Sequence, residues 1–172
     1  MGGTATYAGL VAAALGRRVG ILTSAGDDFD PAPFAATPFG ERVTVCCHRG
    51  PHTTTFENRY TPEGRLQLLH RTAMPLTPDL IPPEWRSAPL VHIGPVAGEC
   101  APEWVSFFAG CAFVGLTPQG WMRQRDAADR VVPRLWLEAE ALLPLASAVV
   151  LSLEDLRGDR ALRAAGRALL VV

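Results

Sequence analysis

Three polar residues stand directly after apolar segments that are typical of buried β-strands. Asp28 ends the turn Gly-Asp-Asp, while Gln119 and Arg123 belong to the segment Thr-Pro-Gln-Gly-Trp-Met-Arg. Open α/β sheets bind ligands outside the carboxyl ends of their strands, so these side chains are candidates for one binding site. Glutamine can bond hydroxyl groups, and arginine suits carboxylates, phosphates or polyols. A glutamine in a turn and an arginine at the surface are the alternative.

Two carboxylates follow another apolar segment, at the junction of a predicted strand and a predicted helix. Glu154 and Asp155 end the sequence Ser-Leu-Glu-Asp, which begins at Ser152. Carboxylates at this place can hold Mg²⁺ through water or order the water around phosphates. Helix capping explains them as well, because the helix dipole favours acidic side chains at an N-terminus. The residues alone leave both interpretations open.

Gly2 and Gly3 stand directly before an apolar segment, where glycine lets the backbone come close to a substrate or act as a hinge. A flexible chain end is the alternative. The segment is neither a P-loop nor a dinucleotide-binding Gly-x-Gly-x-x-Gly pattern, because Thr4 and Ala5 break the spacing.

Metal binding and hydrolase chemistry find little support in the residue pattern. Cys46 and Cys47 are neighbours in a predicted strand, so they point to opposite faces and cannot easily share one ion. His48 and His52 follow them, but no nucleophile stands at a recognisable spacing from either histidine. Ser24 lacks the glycine two residues earlier that a nucleophile elbow requires.

The composition indicates a globular chain and argues against several partners. The 172 residues are 48% hydrophobic and 19% charged, and the net charge is -1. Without a basic block, binding to nucleic acid or to an anionic membrane has no electrostatic support. No apolar run approaches the roughly 18 residues of a membrane span, and no basic stretch introduces a signal peptide. A cytoplasmic setting is expected.

The chain first predicts a helix over 4–15, capped by Thr4, and a strand over 18–25. The apolar stripe of the helix is expected to face the core and comprises Tyr7, Val11 and either Ala14 or Leu15.

A proline-rich loop over 30–40, with room for a short helical turn, leads into a predicted β-hairpin. The alternating segments 53–61 and 65–73 form the hairpin, and the strand over 42–48 is a candidate third member.

Later segments alternate between apolar strands and helices, which predicts βαβ units and a parallel sheet covered on both faces. The predicted strands cover 89–97, 111–120, 147–155 and 168–172, and the predicted helices cover 101–110, 135–146 and 158–167. The predicted architecture is one α/β domain over 1–172 that carries a β-lid at 42–73. Since a parallel strand is normally flanked on both sides, a chain that ends in one is expected to be an incomplete domain.

The order of these segments resembles the first signature of the ribokinase, or PfkB, family of carbohydrate kinases. That signature is a Gly-Gly pair, an apolar helix, Leu-Gly, a strand and Gly-x-Asp. Its counterparts here are Gly2-Gly3, the helix, Leu15-Gly16, the strand and the turn that ends at Asp28. The hairpin resembles the lid of that family.

Two further segments support the resemblance. The family's Asn-x-x-Glu motif falls on Ser-Leu-Glu-Asp, where Ser152 replaces asparagine and Asp155 replaces glutamate. Tyr7 after the Gly-Gly pair, and Gln119 with Arg123 four residues later, look most like the branch that contains myo-inositol kinases.

The resemblance implies a ribokinase-like three-layer α/β sandwich with a mainly parallel sheet and a small antiparallel β-lid. It implies transfer of a phosphoryl group from ATP, with Mg²⁺, to a hydroxyl of a sugar or cyclitol. The implied substrate contacts are Gly2, Gly3, Tyr7, Asp28, Thr55, Glu57, Gln119 and Arg123. The implied metal and phosphate contacts are Ser152, Glu154 and Asp155.

The family's Gly-Ala-Gly-Asp motif, which carries the catalytic base and the anion hole, has no counterpart in this sequence. No residue is therefore assigned the catalytic role, and the 172-residue chain is expected to be inactive by itself. The alternative is a non-catalytic binding module that forms a homodimer through the lid.

Overall fold

The computed structural model describes residues 2–62, 64–152 and 155, together with the backbone of 169–171. Helix α1 (Gly3–Ala14) and strand β1 (Val19–Ala25) lie close to their predicted bounds. A short helix, α2 (Ala32–Ala35), interrupts the proline-rich loop before strand β2 (Val43–Arg49). The helix predicted over 158–167 lies outside the described residues.

Helix α1 buries the opposite side from the one that its apolar stripe predicts. The buried residues are small, namely Thr6, Gly9 and Ala13. The predicted stripe is exposed, with Tyr7 at 66%, Val11 at 60% and Leu15 at 75%. Distance is the reason, because a Cβ atom on Gly9 would lie 2.6 Å from the Ile21 Cδ1 atom. A helix so close to its strand can bury only small residues on that side.

The predicted cap of α1 is also wrong. The helix begins one residue earlier than predicted, with Gly2 as its N-cap, and no side chain bonds to its free N–H groups there. Thr4 instead packs against the end of a later strand, where its Cγ2 atom lies 2.2 Å from the place of a Cβ atom on Gly94. Contact with that strand, and not capping, explains the threonine.

Strands β3 (Thr55–Thr61) and β4 (Gly64–Arg71) form the predicted antiparallel hairpin. The prediction that the strand over 42–48 joins this hairpin is wrong. Strand β2 pairs in parallel with β1, from Val19 opposite Val43 to Ala25 opposite Arg49. A parallel return needs a crossover of roughly a dozen residues or more, which the loop between β1 and β2 supplies.

The later part of the chain forms an all-parallel sheet, as predicted. Strand β5 (Leu90–Ile93), helix α3 (Glu103–Phe108) and strand β6 (Phe113–Leu116) are followed by a second hairpin, β7 (Arg123–Arg125) and β8 (Val131–Pro133). Helix α4 (Ala139–Leu142), strand β9 (Ala148–Leu151) and strand β10 (Leu169–Val171) complete the described chain. The strand order is β10-β9-β6-β5, and every neighbouring pair is parallel.

The second hairpin, which the sequence did not predict, lies against β4. Leu68 and Arg130 form an antiparallel bridge, and the Leu69 N–H donates to the Asp129 carbonyl at 2.8 Å. Strands β3, β4, β7 and β8 are called the hairpin layer below. Its first hairpin, β3 with β4, lies within the segment 42–73 that was predicted to form the lid, and a lid role for it stays a prediction.

The core lies between the parallel sheet and helices α3 and α4. Its most buried side chains, each at most 1% exposed, are Val105, Val114, Leu116, Val149 and Leu151. Trp121 belongs to this core at 5% exposed and donates its indole N–H to the Cys100 carbonyl at 2.6 Å. Among the described helices, none has the length and apolar character to cross a membrane.

Candidate functional site

A small pocket lies between the hairpin layer and the loop that follows β5. Cross-strand partners share one face of a sheet, so Phe56 opposite Leu69 and Asn58 opposite Gln67 occupy the same face. Phe56 and Leu69 line the pocket, and we call their side of the layer the inner face. The pocket has a volume of about 140 Å³ and is lined by Phe56, Leu69, Thr72, Val96, Ala97, Arg123, Gln124, Arg125 and Val131.

Arg123 connects the inner face to the end of the parallel sheet. Its Nη1 donates to Gln67 Oε1 at 3.2 Å, and its Nη2 donates to Asp155 Oδ1 at 3.3 Å. The ion pair is well shielded, because the Arg123 side chain is 16% exposed and that of Asp155 is 6% exposed. Gln67 in turn donates to Asn58 Oδ1 at 3.0 Å. We call the chain Asn58–Gln67–Arg123–Asp155 the polar relay.

Asp155 bonds to its own turn as well as to Arg123. Its Oδ2 accepts from the Ser152 hydroxyl at 2.6 Å and from the Ser152 N–H at 3.2 Å. The Asp155 N–H donates back to Ser152 Oγ at 3.3 Å. This reciprocal pairing is what the capping interpretation of the segment requires. Glu154 lies outside the described residues.

The described residues do not present a ready Mg²⁺ site. Both carboxylate oxygens of Asp155 already accept hydrogen bonds from within the chain. Among the residues that the structure describes, no group of three or more His, Cys, Asp or Glu side chains could hold a metal ion. The metal and phosphate role of Ser152 and Asp155 therefore stays a prediction, and no step is derived through a metal.

The loops that follow β5 and β6 touch each other because a glycine stands at their contact. A Cβ atom on Gly120 would lie 2.6 Å from the Pro95 carbonyl carbon, and the Gly120 N–H donates to the Pro95 oxygen at 2.9 Å. Glu99 fixes the next turn, since its carboxylate accepts from the Val96 N–H at 2.9 Å and the Ala97 N–H at 2.7 Å. Val96 and Ala97, whose N–H groups this carboxylate holds, both line the pocket.

Gln119 sits in the same turn as Gly120 and is partly buried. Its side chain makes no hydrogen bond to the described residues, and it does not line the pocket. The structure therefore brings Arg123 into the pocket and leaves Gln119 beside it. Its predicted contact with substrate stays a prediction.

The Gly-Gly pair lies near the end of β5, outside the lining of the pocket. Thr4 contacts Gly94 directly after β5, which places Gly2 and Gly3 at the carboxyl edge of the sheet. Gly3 has φ +82°, and a Cβ atom on either glycine would meet nothing within 4 Å. The pair therefore borders open space. Tyr7 is 66% exposed.

Asp28 is exposed in the turn after β1, at the base of the hairpin layer. Its Oδ1 accepts a short hydrogen bond from the Thr53 hydroxyl, and the Gly26 N–H donates to the same Thr53 oxygen at 2.9 Å. The turn is thus joined to the residues that lead into β3. Asp28 does not line the pocket.

Thr55 and Glu57 are not brought together with Arg123. Glu57 stands opposite Leu68, which is the face opposite to the inner face. Its carboxylate accepts from Arg59 Nε at 2.5 Å and contacts His70 Nε2 at 2.8 Å. The Arg59 hydrogen bond, followed by that of His70, lowers the pKa of Glu57. Thr55 donates to the Thr53 carbonyl at 2.9 Å.

The sequence reasoning missed Asn58 and Gln67, which share the inner face with Phe56 and Leu69. The sequence did contain a pattern that points to them. Asn58 stands two residues from Phe56, and Gln67 stands two residues from Leu69, so in alternating strands each amide shares a face with an apolar residue. Finding them required the register of the hairpin, which decides whether even or odd positions of β3 face the pocket.

No protein-family model matches this chain, and no curated protein matches it. Solved structures do match. One is a pyrophosphate-dependent kinase in the ribokinase family in a sulfate complex, with TM-score 0.77, 22% identity, and coverage of 95% of this chain and 62% of that chain. Another is a pyrophosphate-dependent kinase in the ribokinase family complexed with a pyrophosphate analogue and myo-inositol, with TM-score 0.74, 22% identity, and coverage of 95% and 62%.

A third structure concerns the conversion of a pyrophosphate-dependent myo-inositol-1 kinase into a myo-inositol-3 kinase by mutation. It has TM-score 0.79 and 20% identity, and the match covers 99% of this chain and 62% of that chain. This chain thus spans 62% of the length of the structures that it matches. At identities this low, the matches establish a shared fold and nothing about function. The predicted architecture, a mainly parallel α/β fold with a small antiparallel layer, is confirmed as ribokinase-like.

Proposed function

We propose that this chain carries the acceptor-binding side of a kinase that transfers a phosphoryl group to a hydroxyl of a sugar or cyclitol. The observation that carries the proposal is Arg123, shielded at the pocket and joined to both the hairpin layer and the end of β9. The myo-inositol complex of a structural neighbour supports the same substrate class.

The pocket has the mixed character that a polyol needs. Phe56, Leu69 and Val131 offer apolar surface for the C–H faces of a ring. Arg123 and the amides of Gln67 and Asn58 offer donors and acceptors for its hydroxyls. A polyol has adjacent hydroxyls that can replace the bond between Gln67 and Arg123 with equivalent bonds of its own.

These residues would bind and orient the acceptor, and the hairpin layer would keep water from it. Catalysis of phosphoryl transfer consists mostly of positioning and electrostatic stabilisation, so holding the acceptor hydroxyl in place is a substantial part of the work. Excluding water protects the phosphate donor from hydrolysis. Because no residue here is assigned as the base, we propose binding without turnover by this chain alone.

The phosphate donor is a separate part of the proposal. The resemblance implied ATP, whereas the structural neighbours are pyrophosphate-dependent kinases. Both donors therefore belong in the test, with ³¹P NMR to follow the transfer. A phosphate ester formed by the 172-residue chain alone would contradict binding without turnover.

The test of binding is a titration of isotope-labelled chain with myo-inositol and, separately, D-ribose. We expect saturable NMR shifts at the side-chain amides of Asn58 and Gln67 and at the backbone of Val96 and Ala97. Arg123→Met is expected to abolish them. The matched control is Arg130→Met, since Arg130 pairs with Asp126 on the other face of the layer. Absence of saturable shifts with every polyol tried would refute the proposal.

Dimerisation through the hairpin layer is the second candidate, and the exposure of its tip favours it. Tyr60 is 80% exposed and Leu66 is 36% exposed near the end of the hairpin. Light scattering on Tyr60→Ser would show a shift toward monomer if the tip is an interface. Tyr7→Ser, which removes an exposed tyrosine outside the layer, is the control. An unchanged mass for Tyr60→Ser would reject this candidate.

A further inference from the structure

Three consecutive threonines at the base of β3 use their hydroxyls in three different ways. Thr53 Oγ1 accepts from the Gly26 N–H at 2.9 Å and donates to Asp28 Oδ1. Thr54 Oγ1 accepts from the Ala73 N–H at 2.9 Å and so closes the base of the hairpin. Thr55 donates to the Thr53 carbonyl. Of the three hydroxyls, that of Thr53 reaches the Asp28 turn.

The backbone of this turn is held from another direction. Arg49, the last residue of β2, donates from Nη1 to the Gly26 carbonyl at 2.6 Å and to the Phe29 carbonyl at 3.0 Å. Its guanidinium carbon lies 5.7 Å from the centre of the Phe29 ring. Arg49 therefore fixes the path of the backbone without touching the Asp28 carboxylate.

The carboxylate depends on Thr53 for its direction. The end torsion of an aspartate side chain is broad, so a hydrogen bond to one oxygen selects among its orientations. Thr53 supplies that bond to Oδ1. Among the described residues, none donates to Oδ2, which is left for a donor from outside. A hydroxyl-to-carboxylate bond belongs to the stronger, charge-assisted class.

We propose that Thr53 is a positioning residue, whose hydroxyl aims the Asp28 carboxylate so that Oδ2 accepts a hydroxyl of the bound polyol. This inference rests on the proposed function and adds to it the sequence-based prediction that Asp28, which stands outside the lining of the pocket, contacts the acceptor. Because Thr53 leads directly into β3, the direction of the carboxylate is tied to the base of the hairpin layer. The aim of Asp28 then depends on where that layer sits.

The test compares Thr53→Val, which removes the hydroxyl at nearly constant shape, with Thr53→Ser, which keeps it. For Thr53→Val we expect hydrogen exchange of the Gly26 amide to accelerate about tenfold. We expect its Kd for myo-inositol, from calorimetry, to rise about tenfold as well. Thr53→Ser should stay near the unsubstituted chain in both measurements. Thr54→Val is the matched control, and it should accelerate exchange at Ala73 and leave the Kd unchanged.

A double-mutant cycle separates positioning from general weakening. If Thr53 acts through Asp28, Thr53→Val should add no further loss of affinity in the Asp28→Ala background. An additive loss would overturn the inference, and so would an unchanged Kd in Thr53→Val when the unsubstituted chain binds. Should Thr53→Val fail to fold, Thr53→Ala takes its place in the cycle. No binding by the unsubstituted chain would instead overturn the proposed function and, with it, this role in binding.

Discussion

Different interactions stabilise the parallel sheet and the hairpin layer. Strands β6 and β9 bury Val114, Leu116, Val149 and Leu151 to at most 1% exposed, and apolar contact dominates there. In the hairpin layer, the polar relay crosses to the sheet and most positions of β3 are exposed. Apolar burial resists rearrangement, whereas a relay of hydrogen bonds can exchange partners with a ligand. The division is therefore between a fixed support and an exchangeable cover.

The largest expected effect tests the support. Leu116→Ala removes a 1% exposed side chain from β6 and should lower the free energy of unfolding by about 2–5 kcal/mol. Leu137→Ala is the control, because Leu137 is 76% exposed. Urea unfolding followed by tryptophan fluorescence measures both. Equal losses in the two variants would contradict the assignment of the core.

The next effect tests the contact between the loops that follow β5 and β6. Gly120→Ala places a methyl group 2.6 Å from the Pro95 backbone, and should destabilise the chain by about 1–3 kcal/mol. Gly115→Ala meets nothing closer than 3.8 Å and serves as the control. If the urea midpoints of both variants move equally, close packing of the two loops is not the cause.

A smaller effect should separate the cover from the support. Gln67→Leu removes one of the two inner members of the polar relay and should lower the free energy of unfolding by about 1 kcal/mol, measured as faster hydrogen exchange in β4 and β8. Amides of β6 should be unaffected. Gln124→Leu is the control, because Gln124 is an exposed residue of β7 whose side chain makes no hydrogen bond to the described residues. Accelerated exchange throughout the parallel sheet would show that the two regions unfold as one.

The smallest effect concerns pH. Burial lowers the pKa of His92, on β5, below its ordinary value of 6.5, so the unfolded chain takes up the proton first as pH falls. Stability is therefore full above about pH 6.5 and declines below it, until the folded histidine is also protonated. Part of the residue is exposed, so the loss should stay below about 0.5 kcal/mol. His92→Gln should flatten urea midpoints measured at pH 7.5, 6.5 and 5.5.

The parallel strands could be predicted because strands buried on both faces read as apolar runs. The buried side of α1 could not be predicted. The large residues of its stripe are exposed, because the close approach of Gly9 to Ile21 leaves room only for small residues on the side that faces the strand. The pairing of β2 depended on a crossover that local alternation does not reveal. The second hairpin was missed because its segment, from Arg123 to Pro133, is mostly polar and contains neighbouring charges.

The residues of the candidate site could also be predicted only in part. Arg123 could be found from its place after a strand, since the carboxyl edge of a parallel sheet is a general binding position. Glu57 and Asn58 are neighbours in the sequence, yet the register turns them to opposite faces, and the family resemblance implied Glu57. Thr53 could not be singled out from two adjacent threonines, because their partners lie far away along the chain.

Three glycines of this chain stand where neighbouring elements approach too closely for any side chain. Gly9 beneath Ile21, Gly94 beneath Thr4 and Gly120 beneath Pro95 each stand where a methyl group has no room. Together they allow the first helix to approach β1 and the end of β5, and the two loops to touch each other. In a saturation mutagenesis experiment, these positions should therefore tolerate fewer replacements than Gly2, which faces open space. The absence of a side chain at these three positions therefore determines how closely the elements around the parallel strands can pack.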